Sequence, residues 1–183
     1  MTPADLVVTP GGVRFLGRRF ACTVGRGGIV PGPAKREGDG ATPAGVHRLV
    51  GMLYRADRIA RPSGWAEPIG PGDLWSDDPR DPDYNRLVRA PHPFGHEKLR
   101  RGDPMYDLVL LTDWNWPEGV PGLGSAIFLH RWRRPGAATA GCVAFSGRDL
   151  RWIAGRVVPG TRVIVHGGQD RGGEGNQGVG RGR

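Results

Sequence analysis

The chain has 183 residues and carries 26 Lys and Arg against 18 Asp and Glu, a net charge of +8. That length holds one domain with a substantial core rather than two, and two cysteines allow one bridge at most, so a disulfide framework is excluded as the basis of the fold. No run approaches the ~18 apolar residues of a membrane span, and the opening MTPADLVVTPGGVRFLGRRF has no basic segment leading into an apolar one, so no secretory signal is visible.

In chain order, short apolar runs at 6–8, 13–16, 20–24, 46–54, 108–112, 125–130, 142–145 and 161–166 are β-branched or aromatic and separated by Gly and Pro, which is strand punctuation. The expectation is a mainly β fold with minor α. Residues 61–104 lack periodicity, hold many Pro, Gly and Asp, and are studded with Trp65, Trp75, Tyr84, His92, Phe94 and His96. A stretch this long inside a compact domain is expected to be an ordered cap lining a cleft, with YNRLVR and HEKLRR as single helical turns. The one clear helix is predicted over 147–156: Ser146 is the N-cap, Asp149 takes the capping-box position, and Leu150, Ile153, Ala154 and Val157 form one stripe. Residues 169–183, Gly- and Arg-rich without apolar anchors, are expected to be a disordered tail behind a domain spanning 1–168.

Between His130 and Arg162 seven arginines face one acid, Asp149. Such a field attracts an anionic polymer, either nucleic acid or a carboxylate-rich glycan. The tail, with Arg171, Arg181 and Arg183 against Asp170 and Glu174, is too nearly neutral for a nucleic-acid arm.

The basic field surrounds AIFLHRWRRPGAATAGCVAFS, residues 126–146. A catalytic thiol needs a base to take its proton and donors for the oxyanion formed on attack. His130 ends an apolar strand, and the residues up to Gly141 are enough to turn the chain back and bring Cys142 beside the imidazole. Gly141 permits close backbone approach, so the amides of Gly141 and Cys142 are the expected oxyanion donors. A buried cysteine and a hydrogen-bonded histidine at a strand end would fit the same spacing. Cys22, in RFACTVG, reads as a small core residue, and Cys142 is expected to be the more reactive thiol.

The segment resembles the signature of the L,D-transpeptidase catalytic domain, a histidine followed after a short loop by Ser/Thr-His-Gly-Cys; here His130, Thr139, Gly141 and Cys142 match. KREGDGATPAG at 35–45 is similar to that family's Gly-Thr-Pro segment. WSDDP at 75–79, Tyr84-Asn85, His96-Glu97, YDLVLL at 106–111 and GSAIFLH at 124–130 resemble one divergent branch. Ala140 stands where a second histidine is common and Ala144 where an arginine often follows the cysteine; Arg36, Arg131, Arg133 or Arg134 could replace that cation.

The resemblance implies a β-sandwich-like catalytic domain and cysteine acyl transfer on peptidoglycan stem peptides. Cys142 would form a thioester that passes to the side-chain amine of diaminopimelate. Links between positions one and three are favoured over three-to-three links, with hydrolysis as the alternative. It implies neither metal nor organic cofactor, no nucleic-acid partner, and a periplasmic or cell-wall location. Tyr84, Asn85, His96, Glu97, Asn115 and Trp75 are the expected substrate contacts, with Arg36, Arg131 and Arg133 as candidate cations. His92 and His96 have a spacing that on a helix holds zinc, but Pro93-Phe94-Gly95 interrupts any such helix.

Overall fold

A computed structural model describes residues 1–9 and 11–167; the expected tail lies outside the described residues. The chain forms β1 (Leu6–Thr9), β2 (Gly12–Phe15), β3 (Arg18–Phe20), β4 (Cys22–Thr23), β5 (Ile29–Pro31), β6 (Thr42–Tyr54), β7 (Glu67–Pro68), β8 (Asp73–Ser76), β9 (Leu87–Arg89), β10 (His96–Lys98), β11 (Leu108–Thr112), β12 (Phe128–Arg131), β13 (Val143–Phe145), α1 (Gly147–Ala154) and β14 (Arg162–Val165). The protein is mainly β with one α-helix among the described residues, as the apolar runs predict. Along the helix start, Ser146 Oγ accepts the Asp149 amide at 3.0 Å and satisfies one of the unpaired first-turn donors.

The main strand order is β3-β2-β1-β14-β6-β11-β12-β13-β4, with β5 and β7 also on β6. Thirteen-residue β6 is shared by two halves: Gly45 to Arg48 pair with β14 and Leu49 to Tyr54 with β11. The two halves face each other across one core, in which Leu6, Val8 and Val13 from one side meet Leu110, Leu129, Val143 and Phe145 from the other. Leu150 and Ile153 of α1 close it. Phe145 is fully buried; cutting such a ring back to alanine costs about 3–5 kcal/mol.

Strand alternation then sets the functional face. Leu108, Leu110, Leu129 and Val143 point into that core, so Val109, Phe128 and Cys142 point the opposite way. There they form a second apolar cluster with Leu53, Ile69, Trp75, Leu99 and Tyr106. Residues 61–104 supply much of this cover through a separate three-stranded sheet, β10-β8-β9. YNRLVR and HEKLRR, expected as helical turns, instead contain β9 and β10, which pair antiparallel with the two edges of β8. Backbone pairing to a buried DLWS strand wins over local helix propensity.

Candidate active site

Cys142 immediately precedes β13, and His130 lies in β12, paired in parallel register opposite Ala144. With period-two alternation, Phe128, His130, Cys142 and Ala144 share one face. Cys142 is 8% exposed and His130 4%, and both line a cavity of about 560 Å3. Ala144 is fully buried beside His130, so the motif arginine missing from that position would have to displace packed neighbours.

The protonation state follows from the partners. His130 Nδ1 lies 2.7 Å from the Arg131 carbonyl oxygen, which can only accept, so Nδ1 carries the proton and Nε2 is the basic nitrogen. Tyr106 stacks edge-on against the imidazole at 5.3 Å. The Cys142 thiol donates to the Ala126 carbonyl at 2.9 Å, while the Phe128 amide donates to Sγ at 3.4 Å. Burial, helped by the charge of Glu97, pushes the thiol up to about 12, and burial pushes His130 down to about 4. The thiol and the imidazole are therefore both held neutral. Cys22, half-buried, is raised by burial to about 11. Burial therefore disfavours ionisation of both thiols in the folded protein.

The turn before Cys142 is tied down at each residue. The Thr139 hydroxyl donates to the Cys142 carbonyl at 2.6 Å and accepts the Gly141 amide at 3.1 Å. The Gly141 carbonyl accepts the Thr42 hydroxyl at 2.7 Å, and Thr42 in turn accepts the Gly25 amide at 2.9 Å. The Gly-Thr-Pro segment thus braces the loop that carries Cys142. Gly141 has φ 144, and a Cβ there would stand 2.9 Å from the Ala41 carbonyl oxygen, which explains glycine at this position. Its N–H, expected to face an oxyanion, is already bonded to Thr139.

Of the expected substrate contacts, Glu97 and Arg133 line the cavity. The others do not line it. Asn85 is 2% exposed, and its amide is saturated: Oδ1 accepts Trp75 Nε1 and the Ala126 amide, each at 3.0 Å, and Nδ2 donates to the Trp114 and Asn115 carbonyls at 3.0 and 2.8 Å. It holds Ala126 at φ 51, a left-handed conformation costing about 1–3 kcal/mol for a residue with a side chain, and Ala126 presents the carbonyl that receives the thiol. Trp75 lies beneath the site, edge-on to Phe128 at 5.0 Å. Tyr84 is buried, its hydroxyl donating to Glu37, which also accepts Ser125 Oγ at 2.8 Å. Asn115 closes its own loop through Val120 and Gly124. His96 bonds the Phe94 carbonyl at 2.7 Å through Nδ1, outside the cavity lining. Arg36 donates to the Pro33 and Lys35 carbonyls within its own loop. Arg131, next to His130 in β12, is sent by alternation to the opposite face, against Leu150 and Gly147 of the helix.

The cations that do line the cavity are Arg133 and Arg134 together with Arg26 and Arg101, and Trp132 contributes a wall. Arg26 and Arg101 escape sequence reading because they come from distant loops. The isolated bridge between Gly25 and Thr139 brings Arg26 in, and Arg101 is oriented by a two-pronged bond to Asp103 at 3.0 and 2.7 Å. Among the described residues no helix is long and apolar enough to cross a membrane. In comparisons with known proteins, the family model for the YkuD L,D-transpeptidase catalytic domain matches residues 4–165. No curated protein and no solved structure matches the chain.

Proposed function

The chain belongs to the L,D-transpeptidase catalytic domain family, whose members act on peptidoglycan stem peptides, and from that premise we propose that Cys142 is the nucleophile of a cysteine acyl transfer. The observation that carries this reading is the convergence of Cys142 and His130 on one sheet face, inside one cavity lined by four arginines and a single glutamate. A donor carbonyl entering the cavity meets Sγ. As the S–C bond forms, the thiol proton passes to His130 Nε2, which returns it to the departing amine. Because thiol and imidazole are both neutral at rest, proton removal accompanies attack rather than preceding it. The Cys142 amide, with the Gly141 amide shared between Thr139 and the substrate, supplies the oxyanion donors. Arg26, Arg101, Arg133 and Arg134 hold stem-peptide carboxylates in place of the arginine absent at position 144.

The preferred product joins the L-Ala of the donor to a diaminopimelate side chain, a one-to-three link. The absence of a second motif histidine at Ala140 and of the arginine at Ala144, together with the branch-like segments, supports a donor opened after its first residue. With peptidoglycan as substrate, the site of action is the periplasm or cell wall. Incubation with muropeptides and tandem mass spectrometry of the dimers tests both statements. A donor half reduced to L-Ala supports the one-to-three link; a donor tripeptide joined through its diaminopimelate carbonyl contradicts it; products that are only hydrolysed monomers replace transfer by hydrolysis.

A further inference from the structure

Transfer to an amine and hydrolysis share their first half and differ in what the site must do for the second nucleophile. Water is everywhere, whereas a primary alkyl amine arrives as an ammonium, with a pKa near ~10.4, and attacks only after losing a proton. The Cys142 cavity contains one carboxylate, Glu97, among its four guanidinium groups. Glu97 sits in β10 opposite Trp75 of β8, so the small sheet carries it on a fixed backbone. Its Oε2 accepts the Tyr106 hydroxyl, and Tyr106 in turn meets the His130 ring edge-on. Carboxylate, phenol and imidazole therefore form one continuous wall around the sulfur.

Arg101 is committed to Asp103, and among the described residues no Lys, Arg or His reaches salt-bridge distance of Glu97. A half-buried carboxylate with no ion-pair partner, near enough to feel the Arg101 charge but not bonded to it, is suited to a cation brought by the substrate. Burial also holds its carboxyl above the usual range, which makes it a better base.

Resting on the acyl-transfer reading above, we propose that Glu97 is a further catalytic residue: it receives the side-chain ammonium of the acceptor and takes its proton. One N–H bond breaks as the proton moves to the Glu97 carboxylate, and the freed lone pair forms the C–N bond at the thioester carbonyl. Collapse of the tetrahedral intermediate breaks the C–S bond. The second ammonium proton travels through His130 Nε2 to the departing sulfur. The products are an amide, the Cys142 thiol and a neutral Glu97, which gives its proton to water. The arginines serve the donor's carboxylates and Glu97 serves the acceptor's amine, so opposite charges in one cavity sort the two substrates.

The test uses the full chain with a muropeptide donor and a diaminopimelate-containing acceptor, reading the Cys142 thioester and the ratio of cross-linked dimer to hydrolysed monomer by mass spectrometry. In Glu97→Gln the thioester is expected to form while the ratio falls on the order of tenfold to a hundredfold, the lower range for loss of a general base; Glu97→Asp recovers part of it. A normal thioester with an unchanged ratio overturns the assignment. Absence of the thioester in the wild type removes the acyl-transfer reading and this assignment with it. A second measurement needs no variant. An acceptor analogue with a trimethylated side-chain amine competes in the wild type and lowers the ratio, whereas its acetylated, neutral counterpart does not; equal competition by both also overturns it.

Discussion

Raising the pH over the protein exposes how Cys142 is held. Burial and the nearby Glu97 charge place its thiol at about 12, so at pH 7.5 roughly one molecule in thirty thousand carries the thiolate, against about one in ten for a free cysteine. Since only the thiolate alkylates, iodoacetamide should modify Cys142 on the order of a thousandfold more slowly than a free thiol, before any steric term. The rate should climb about tenfold per pH unit without levelling below pH 10. Cys22, also raised by burial, to about 11, is the internal reference. Peptide-resolved mass spectrometry of timed alkylations between pH 6 and 10 gives both rates at once. A Cys142 rate that levels off near pH 6 would reveal a preformed thiolate–imidazolium pair and refute the neutral resting state.

His130→Gln should lower turnover on the order of a hundredfold, read as cross-linked product per unit time. The same residue sets an acid limit. Its folded value of about 4 lies below the ordinary histidine value of about 6.5, so the unfolded chain binds a proton that the folded one refuses; stability is full above about pH 6.5 and falls by on the order of 3 kcal/mol as the pH drops to about 4. Denaturant melts should show a shallower acid slope in His130→Gln, and an unchanged slope would remove this residue as the cause. Asn85→Ala leaves the Trp75 and Ala126 N–H groups and two carbonyls without their partner, and should cost about 3 kcal/mol or more; a melting temperature near that of the wild type would argue against the saturated network. Gly141→Ala should lose activity through the clash with the Ala41 carbonyl, whereas Ala140→Ser, at an exposed neighbour, should not disturb folding by more than about 0.5 kcal/mol. Arg133→Met should raise KM for the donor severalfold with a smaller change in kcat, and the reverse pattern would mean that Arg133 acts on the chemistry rather than on binding.

The strands and the helix cap were legible because they rest on local pattern: the LVLLT and AIFLH runs are short, apolar and buried almost throughout, as core strands are, and Ser146 sits three residues ahead of Asp149. The placement of Cys142 and His130 on one face of neighbouring strands was legible too, since a short loop between two short strands lays the second beside the first. What eluded the sequence was the direction of polar side chains in the segment covering the site. Asn85, Tyr84 and Asn115 are the residue types that read amides in a substrate, yet each turns inward to satisfy protein groups, because a backbone bent to positive φ at Asn85, Asn115 and Ala126 leaves donors and acceptors that must be paired. Arg131 and Arg133 differ by two positions, but the strand ends between them; Arg131 still obeys the alternation that sends it behind the sheet, while Arg133 is in the loop that overhangs the cavity. Arg26 and Arg101 reach it only through long-range pairing, which spacing along the chain does not report.

Whether Cys142 carries the acyl group is decided by intact-mass analysis of the protein mixed with a stem-peptide donor in the absence of acceptor, followed by peptide mapping. The expected result is a single adduct equal to the donor acyl fragment, labile to hydroxylamine as a thioester is, mapped to the peptide containing Cys142 and lost in Cys142→Ala. An adduct on Cys22, or cross-linking that continues in Cys142→Ala, would contradict it.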